Sequence, residues 1–174
     1  MRRASIFAVL VCLVVAGCAG QRVWRSQPQT AELATSDFEV RLEPVRASTK
    51  AFFDGFQLSL INRASQPLEI DWAQCRYLVN RQPRGGFVFQ GIAAEEVRTP
   101  PVEVVPPGQR LSKTIWPLTL MGWVPIKDRS LDLDAPGFSP GVLPEGENGL
   151  LLVVGRGPAR SRYTLGVTLS SHLP

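Results

Sequence analysis

Cys18 is the residue of this 174-residue chain whose surroundings point most directly to chemistry. It follows Val15, Ala16 and Gly17, which are one aliphatic residue and two small residues. Small side chains let an extended backbone enter a peptidase, and the cysteine thiol is the one nucleophile of the motif that can form a thioether. The four residues therefore predict cleavage after Gly17 and covalent modification of Cys18.

The residues before this motif have the organisation of a secretory leader. Arg2 and Arg3 are followed by an uncharged, mostly apolar stretch of about 13 residues, which is too short to span a bilayer as a helix. With these flanks, residues 15–18 are similar to the lipobox of bacterial lipoproteins. That resemblance implies a signal peptide over residues 1–17 and diacylglycerol and palmitate chains on Cys18, which form a permanent membrane anchor. Ala19 implies the outer membrane, on its periplasmic face, if the source has one.

Charge and cysteine content argue against several functional classes. The leader carries half of the formal net charge of +4, and the other basic residues are scattered singly, so we expect no nucleic-acid partner. Cys12 leaves with the leader and Cys18 is acylated, so Cys75 remains as a lone thiol, which we expect to be a small buried hydrophobe. With His172 as the only histidine, we expect no metal, no cofactor and no catalytic residue.

Apolar residues that alternate with polar ones are the main structural signal after residue 36. Such runs, or short apolar runs bounded by turn residues, occur at 38–42, 56–60, 68–72, 76–79, 87–90, 102–105, 111–116, 150–154 and 163–169. They predict an all-β, immunoglobulin-like or fibronectin-like β-sandwich of about eight strands, with a small β-barrel as the alternative. Prolines on both sides of 102–105 predict an edge strand. Trp72 and Trp116 lie inside such runs, so we expect both in the core.

Two stretches lack a regular period. Residues 18–36 are polar and predict a flexible tether, which leads to a sandwich domain at 37–174. Residues 116–148 predict one long loop, and loops of this length tend to carry function. The candidate binding residues within it are Trp123, Asp128, Arg129, Asp132 and Asp134. The spacing of the three aspartates does not match an EF-hand loop.

Several segments between about residues 50 and 170 have a combined pattern. They are the hairpin at 62–72, Gly-Gly-Phe-Val-Phe-Gln-Gly-Ile at 85–92, Pro-Gly-Gln at 107–109, Lys-Thr-Ile-Trp-Pro at 113–117 and Gly-Glu-Asn-Gly at 146–149. Together they resemble a group of bacterial lipoproteins of uncharacterised function that have an immunoglobulin-like sandwich. The resemblance implies a fold and a cellular address, and it implies no catalytic or ligand-binding residue.

The anchor, the sandwich and the lack of a catalytic set favour a non-catalytic lipoprotein of the cell envelope. We expect it to bind a protein partner of the envelope or to take part in assembly. A lipoprotein that binds a small ligand or a glycan around Trp123, Arg84 and the acidic loop is the alternative. A third hypothesis is an anchored hydrolase that uses paired carboxylates such as Glu145 and Glu147.

Replacing Cys18 with alanine should abolish acylation and leave the leader uncleaved after Gly17, because a lipid-dependent peptidase requires the modified cysteine. Metabolic labelling with a fatty-acid analogue measures this, with Cys75→Ala as the matched control that keeps the anchor cysteine. Equal label in the wild type and in Cys18→Ala would contradict the anchor.

Overall fold

The computed structural model describes residues 22–47, 49–89, 92, 96–123 and 138–173, which form an all-β structure. The strands in these residues are β1 (Val23–Gln27), β2 (Ala31–Ala34), β3 (Phe38–Val45), β4 (Gly55–Asn62), β5 (Leu68–Asp71), β6 (Arg76–Val79), β7 (Gln82–Pro83), β8 (Phe87–Phe89), β9 (Val102–Val105), β10 (Arg110–Pro117), β11 (Met121–Trp123), β12 (Phe138–Pro140), β13 (Gly146–Arg156) and β14 (Ala159–His172). One 3₁₀ turn, Leu118–Leu120, leads into β11.

Two antiparallel sheets form the sandwich. Sheet A has the order β1-β14-β13-β5-β9. Strand β6 also pairs with β13, at residues before those that pair with β5, and β7 pairs with β6. Sheet B has the order β2-β3-β4-β10-β8, while β11 and β12 form a separate ribbon. The predicted sandwich is therefore confirmed, and the barrel alternative is wrong because the described strands form no closed ring. The number of strands exceeds the predicted eight, since short pairs such as β6 with β7 give too little alternation to be recognised.

The core lies between the inner faces of the two sheets. Phe38, Val40 and Leu42 of β3 are buried, as the period-two pattern predicts, and β4 and β14 bury their own alternating residues against them. Strand β13 instead buries consecutive residues at 148–150 and 152–154. The Phe38 ring meets the Tyr163 ring edge-on across the sandwich, with ring centroids 5.1 Å apart. Each large side chain buried in this way contributes about 1.5 to 3 kcal/mol, so core packing is the main source of stability.

Two buried asparagines connect the sheets to their loops. The Nδ2 group of Asn62 donates hydrogen bonds of 2.8 Å to the carbonyl oxygens of Gln66 and Val105, and its Oδ1 accepts one from the Ala64 N–H. Asn148 donates to two carbonyl oxygens, including that of Pro144, and its Oδ1 accepts the Tyr77 hydroxyl at 2.5 Å. Because their polar atoms are satisfied, both amides stabilise the loops that they bridge.

The two strand tryptophans have different environments. Trp72 is buried, with 2% of its surface exposed, and this confirms the core prediction. The prediction is wrong for Trp116, because Ile115 takes the inward position of β10 and places Trp116 on the opposite face, where it is half-buried. Its indole covers Gly55, since a Cβ at that glycine would lie 2.6 Å from the Trp116 Cδ1 atom.

Residues 22–36 are part of the sandwich, so the predicted flexible tether is wrong for this stretch. Strand β1 pairs with β14 from Val23 opposite His172 to Gln27 opposite Thr168, and β2 pairs with β3. Trp24 and Leu33 pack against the core. The alternation signal is weak here because β1 is an edge strand that leaves both of its faces at least partly exposed.

The predicted loop at 116–148 also contains regular structure. Its first two residues complete β10, β11 pairs with β12 across the intervening chain, and β13 begins at Gly146. Trp123 lies in β11, with Phe138 as its backbone partner. Three-residue strands that pair over such a distance leave no local pattern in the sequence, so the prediction of a single loop is wrong for these parts.

Removing residues 22–36 should destabilise the domain, because the truncation deletes β1 and β2 and exposes the part of the core that Trp24, Ala31 and Leu33 cover. We expect the fragment 37–174 to lose about 3 to 5 kcal/mol of unfolding free energy relative to the fragment 22–174. Urea melts of both fragments, followed by circular dichroism, measure the difference. Equal midpoints would mean that these residues act as a tether after all.

Candidate functional site

Strand β9 forms one edge of sheet A, as the flanking prolines predict. It pairs with β5 from Leu68 opposite Val105 to Asp71 opposite Val102, and no other described strand pairs with it. Val102 and Val104 point away from the core and are 46% and 55% exposed. An edge strand presents backbone N–H and C=O groups that can bond to another strand, so this β9 edge is the candidate interaction site.

A cluster of four side chains, the edge cluster, lies behind this strand between the two sheets. It consists of Trp72, Phe89, Glu103 and Lys113. The Lys113 ammonium donates hydrogen bonds of 2.8 and 2.9 Å to the two carboxylate oxygens of Glu103, and the Trp72 Nε1 group donates one of 2.7 Å to Oε2. The ammonium also lies 4.1 Å from the centroid of the Phe89 ring. The cluster therefore joins β9 of sheet A to β8 and β10 of sheet B.

The ion pair of the edge cluster is largely withdrawn from water. The Lys113 and Glu103 side chains are 20% and 26% exposed. Partial burial would make either charge unfavourable without its partner. Here three hydrogen bonds satisfy the Glu103 carboxylate, and the Phe89 ring covers the Lys113 ammonium. Because Glu103 must point inward to make these bonds, the alternation of the strand turns Val102 and Val104 outward.

Cys75 lies in the core and not in a reactive site. Its side chain is fully buried, and its Sγ atom accepts a hydrogen bond of 3.3 Å from the Val153 backbone N–H. Burial raises the pKa of the thiol to about 12, and the nearby Asp71 carboxylate acts in the same direction. The thiol stays protonated at neutral pH, which confirms the expectation of a small buried hydrophobe and gives it no nucleophilic character.

Most of the residues that the sequence singled out lie outside the described residues. This applies to Val15, Ala16, Gly17 and Cys18, and also to Asp128, Arg129, Asp132 and Asp134. The strand position of Trp123 is described, whereas the other four residues of the proposed loop site lie outside the described residues. The anchor motif and the binding loop stay predictions.

Arg84 and Gly85 belong to a hairpin. The Arg84 N–H donates to the Tyr77 carbonyl oxygen, and the Tyr77 N–H donates to the Gly85 carbonyl oxygen, both at 2.8 Å. Gly85 has a φ of 116°, a conformation that suits glycine. These backbone groups are therefore engaged within the hairpin.

An open cavity lies between β1 and the end of β3. Its volume is about 990 Å³, and Trp24, Arg25, Arg46 and Phe53 are among its lining residues. The Arg46 guanidinium lies 4.9 Å from the centroid of the Phe53 ring and donates to the Ala51 carbonyl oxygen. Its cation is thus partly engaged within the chain, and Arg84, one of the residues predicted to bind a ligand, is not among the residues that line the cavity.

The comparisons with known proteins add no relative. No protein-family model matches this chain, and no curated protein and no solved structure matches it. The resemblance to a lipoprotein group therefore stays a prediction. In the part of the chain that the structure describes, no group of three or more His, Cys, Asp or Glu residues could hold a metal ion, and no helix is long and apolar enough to cross a membrane.

Sequence reasoning identified the β9 strand but not the edge cluster behind it. Glu103 lies between two valines and two residues before the buried Val105, and Lys113 lies two residues before the buried Ile115. That placement is a usable signal, because an isolated charge on an inward face requires a partner. The sequence alone does not say which acid pairs with which base.

Stability should fall at high pH through the buried thiol. The folded state holds this proton up to a pKa of about 12, against an ordinary value of 9.0, so above pH 9 the unfolded state releases it first. We expect the wild type to lose about 1 kcal/mol more per pH unit between pH 9 and 12 than Cys75→Ala. Val153→Ala, which shortens a buried neighbour but keeps the thiol, should retain the wild-type slope. Urea melts at several pH values measure it, and equal slopes in all three proteins would show that the thiol proton is not held.

Proposed function

We propose that this chain is a non-catalytic, membrane-anchored lipoprotein of the cell envelope that binds an extended segment of a partner protein along the β9 edge. The observation that carries the proposal is the exposed, outward-facing pair Val102 and Val104 on an edge strand that has one described partner. The anchor rests on the leader and on the lipobox-like residues that end at Cys18.

Strand addition is the recognition mode that suits this edge. A partner segment in β conformation would bond to the free backbone groups of β9, and its apolar side chains would cover Val102 and Val104. Pro101 and Pro106 flank the strand and lack backbone N–H groups, so the paired segment is limited to about four residues. The partner chemistry is therefore a short, uncharged, extended stretch with apolar residues at every second position.

The edge cluster supports this role because it holds β9 in place before a partner arrives. Glu103 is bound through three hydrogen bonds to Trp72 and Lys113, which belong to elements other than β9. A strand whose conformation is already fixed loses little entropy on binding.

Two observations favour a non-catalytic role over the hydrolase hypothesis. The Cys75 thiol is buried and protonated. The carboxylates of Glu145 and Glu147 are each engaged by an arginine, at 3.7 Å for Arg22 and 3.0 Å for Arg81. Carboxylates in ion pairs of this kind are typical of a structural surface and not of a general acid and base.

A photo-crosslinking residue in place of Val104 tests the proposal in intact cells of the source organism. We expect one discrete crosslinked protein, because the side chain at position 104 would face the bound segment. The same probe at Thr168 is the matched control and should give none, because this exposed position of β14 pairs with Gln27 of β1 on one side and with Glu147 of β13 on the other. Val102→Lys combined with the probe at 104 should remove the product, since a charge beside the segment disfavours its apolar side chains.

Two outcomes would contradict the proposed binding edge. One is an absence of any product at position 104, and the other is an equal yield at positions 104 and 168. Both are read from the same denaturing gel, with the probe-bearing proteins expressed at equal levels.

A further inference from the structure

The end of the sandwich at which β1 begins carries exposed apolar side chains. Strand β1 begins at Val23, which lies opposite His172, and Cys18 is only five residues earlier. Five residues span at most about 18 Å even when fully extended. If Cys18 carries the lipid, as the proposed function holds, this end of the domain has to lie close to the bilayer.

Exposed apolar side chains in the described part of the chain concentrate at two places. Val102 and Val104 belong to the β9 edge. The other three large exposed hydrophobic residues are Val23, Val142 and Leu173, at 41%, 41% and 65% exposure. These three form what we call the anchor face, because they lie at the end of the sandwich where β1 begins.

Contacts between neighbouring residues place the anchor face at one end. Leu173 follows His172, the register partner of Val23. Glu145, three residues after Val142, accepts a hydrogen bond from the Ser171 hydroxyl and pairs with Arg22. The loop around Val142 is also fixed at this end, because the Leu143 N–H donates a hydrogen bond of 2.9 Å to the Phe53 carbonyl oxygen.

Among the described residues, the charges around the anchor face do not oppose a lipid surface. The Asp54 carboxylate is buried and lies 2.9 Å from the Lys50 ammonium, and Glu145 and Glu147 are paired with Arg22 and Arg81. Glu43 is an exposed acid set back from this end, and the exposed Arg46 three residues later offsets it. Apolar side chains among balanced charges are suited to shallow insertion at the headgroup level.

The opposite end of the sandwich is polar. The turn between β4 and β5 exposes Ser65 and Gln66, and Arg63 there pairs with Glu39 at 3.2 Å. On sheet A, Arg156 lies 3.1 Å from Asp37. Apart from Val102 and Val104 of the β9 edge, no large hydrophobic residue described at that level of the sandwich is exposed.

We infer that Val23, Val142 and Leu173 insert into the headgroup region of the bilayer that holds the acylated Cys18, so that the sandwich stands end-on upon the membrane. The occupant of this apolar face is the lipid surface itself. The inference rests on the proposed anchor and adds an orientation to it, because a single flexible attachment would leave the domain free to tumble.

Fluorescence quenching on the mature, acylated protein tests the orientation. The variants Leu173→Cys, Val142→Cys and Ser65→Cys are each labelled with a polarity-sensitive dye; acylation consumes Cys18 and burial protects Cys75, so only the introduced thiol reacts. The proteins are reconstituted in phosphatidylethanolamine and phosphatidylglycerol vesicles with and without lipids that carry a nitroxide near the headgroup. We expect at least twofold quenching for dye at positions 173 and 142 and no change at position 65.

Mass spectrometry of the same preparations distinguishes a failure of the end-on orientation from a failure of the lipid anchor. Acyl chains on Cys18 together with equal quenching at positions 65, 142 and 173, or with none at 142 and 173, would overturn the end-on orientation and leave the anchor intact. A mature chain without acyl chains would overturn the anchor and the orientation together.

Discussion

Strand β13 is the element on which the arrangement of sheet A depends. One of its edges pairs with β14 from Gly146 to Arg156, and its other edge is shared between β6 and β5. A strand with partners on both edges is protected along its length, and most of its middle residues are buried. The approach to β14 is close, because a Cβ at Gly149 or Gly155 would overlap a carbonyl oxygen of that strand. The register of this hairpin therefore decides which residues of β5 and β6 reach the core.

The side of the sandwich next to β9 is closed in a different way from its centre. Elsewhere apolar side chains meet across the two sheets, but here an ion pair between Glu103 and Lys113 spans the gap under two aromatic rings. Inward charge on an edge strand is a common protection against unwanted pairing, since a shifted register would bury the charge without its partner. The same contacts leave the outward valines available, so the edge combines a fixed register with an apolar surface.

The sequence predicted the parts of the fold that alternate strictly, and it failed where alternation carries no information. Strands β3, β4, β5 and β14 follow from residues that are buried at every second position. The sequence pattern does not reveal β1, because an edge strand need not bury every second side chain. It does not reveal β11 and β12 either, because these strands are short and pair over a long distance. In β10 the alternation allows either Trp116 or Ile115 to face the core. Lys113 is inward and Trp116 outward, which becomes clear only when Glu103 and Gly55 are found beside them.

The lengths of β13 and β14 give the domain a long axis with two different ends. Strand β14 runs from His172, beside the start of β1, to Arg160, which pairs with Gly155 at the level of β5 and β9. About 12 residues of strand at roughly 3.3 Å each correspond to some 40 Å. A domain that stands upright on its lipid would therefore present its binding edge near the top, beyond the lipid headgroups. A partner that engages β9 would have to reach that height, which favours a protein that spans the space above the membrane over one that lies flat on its surface.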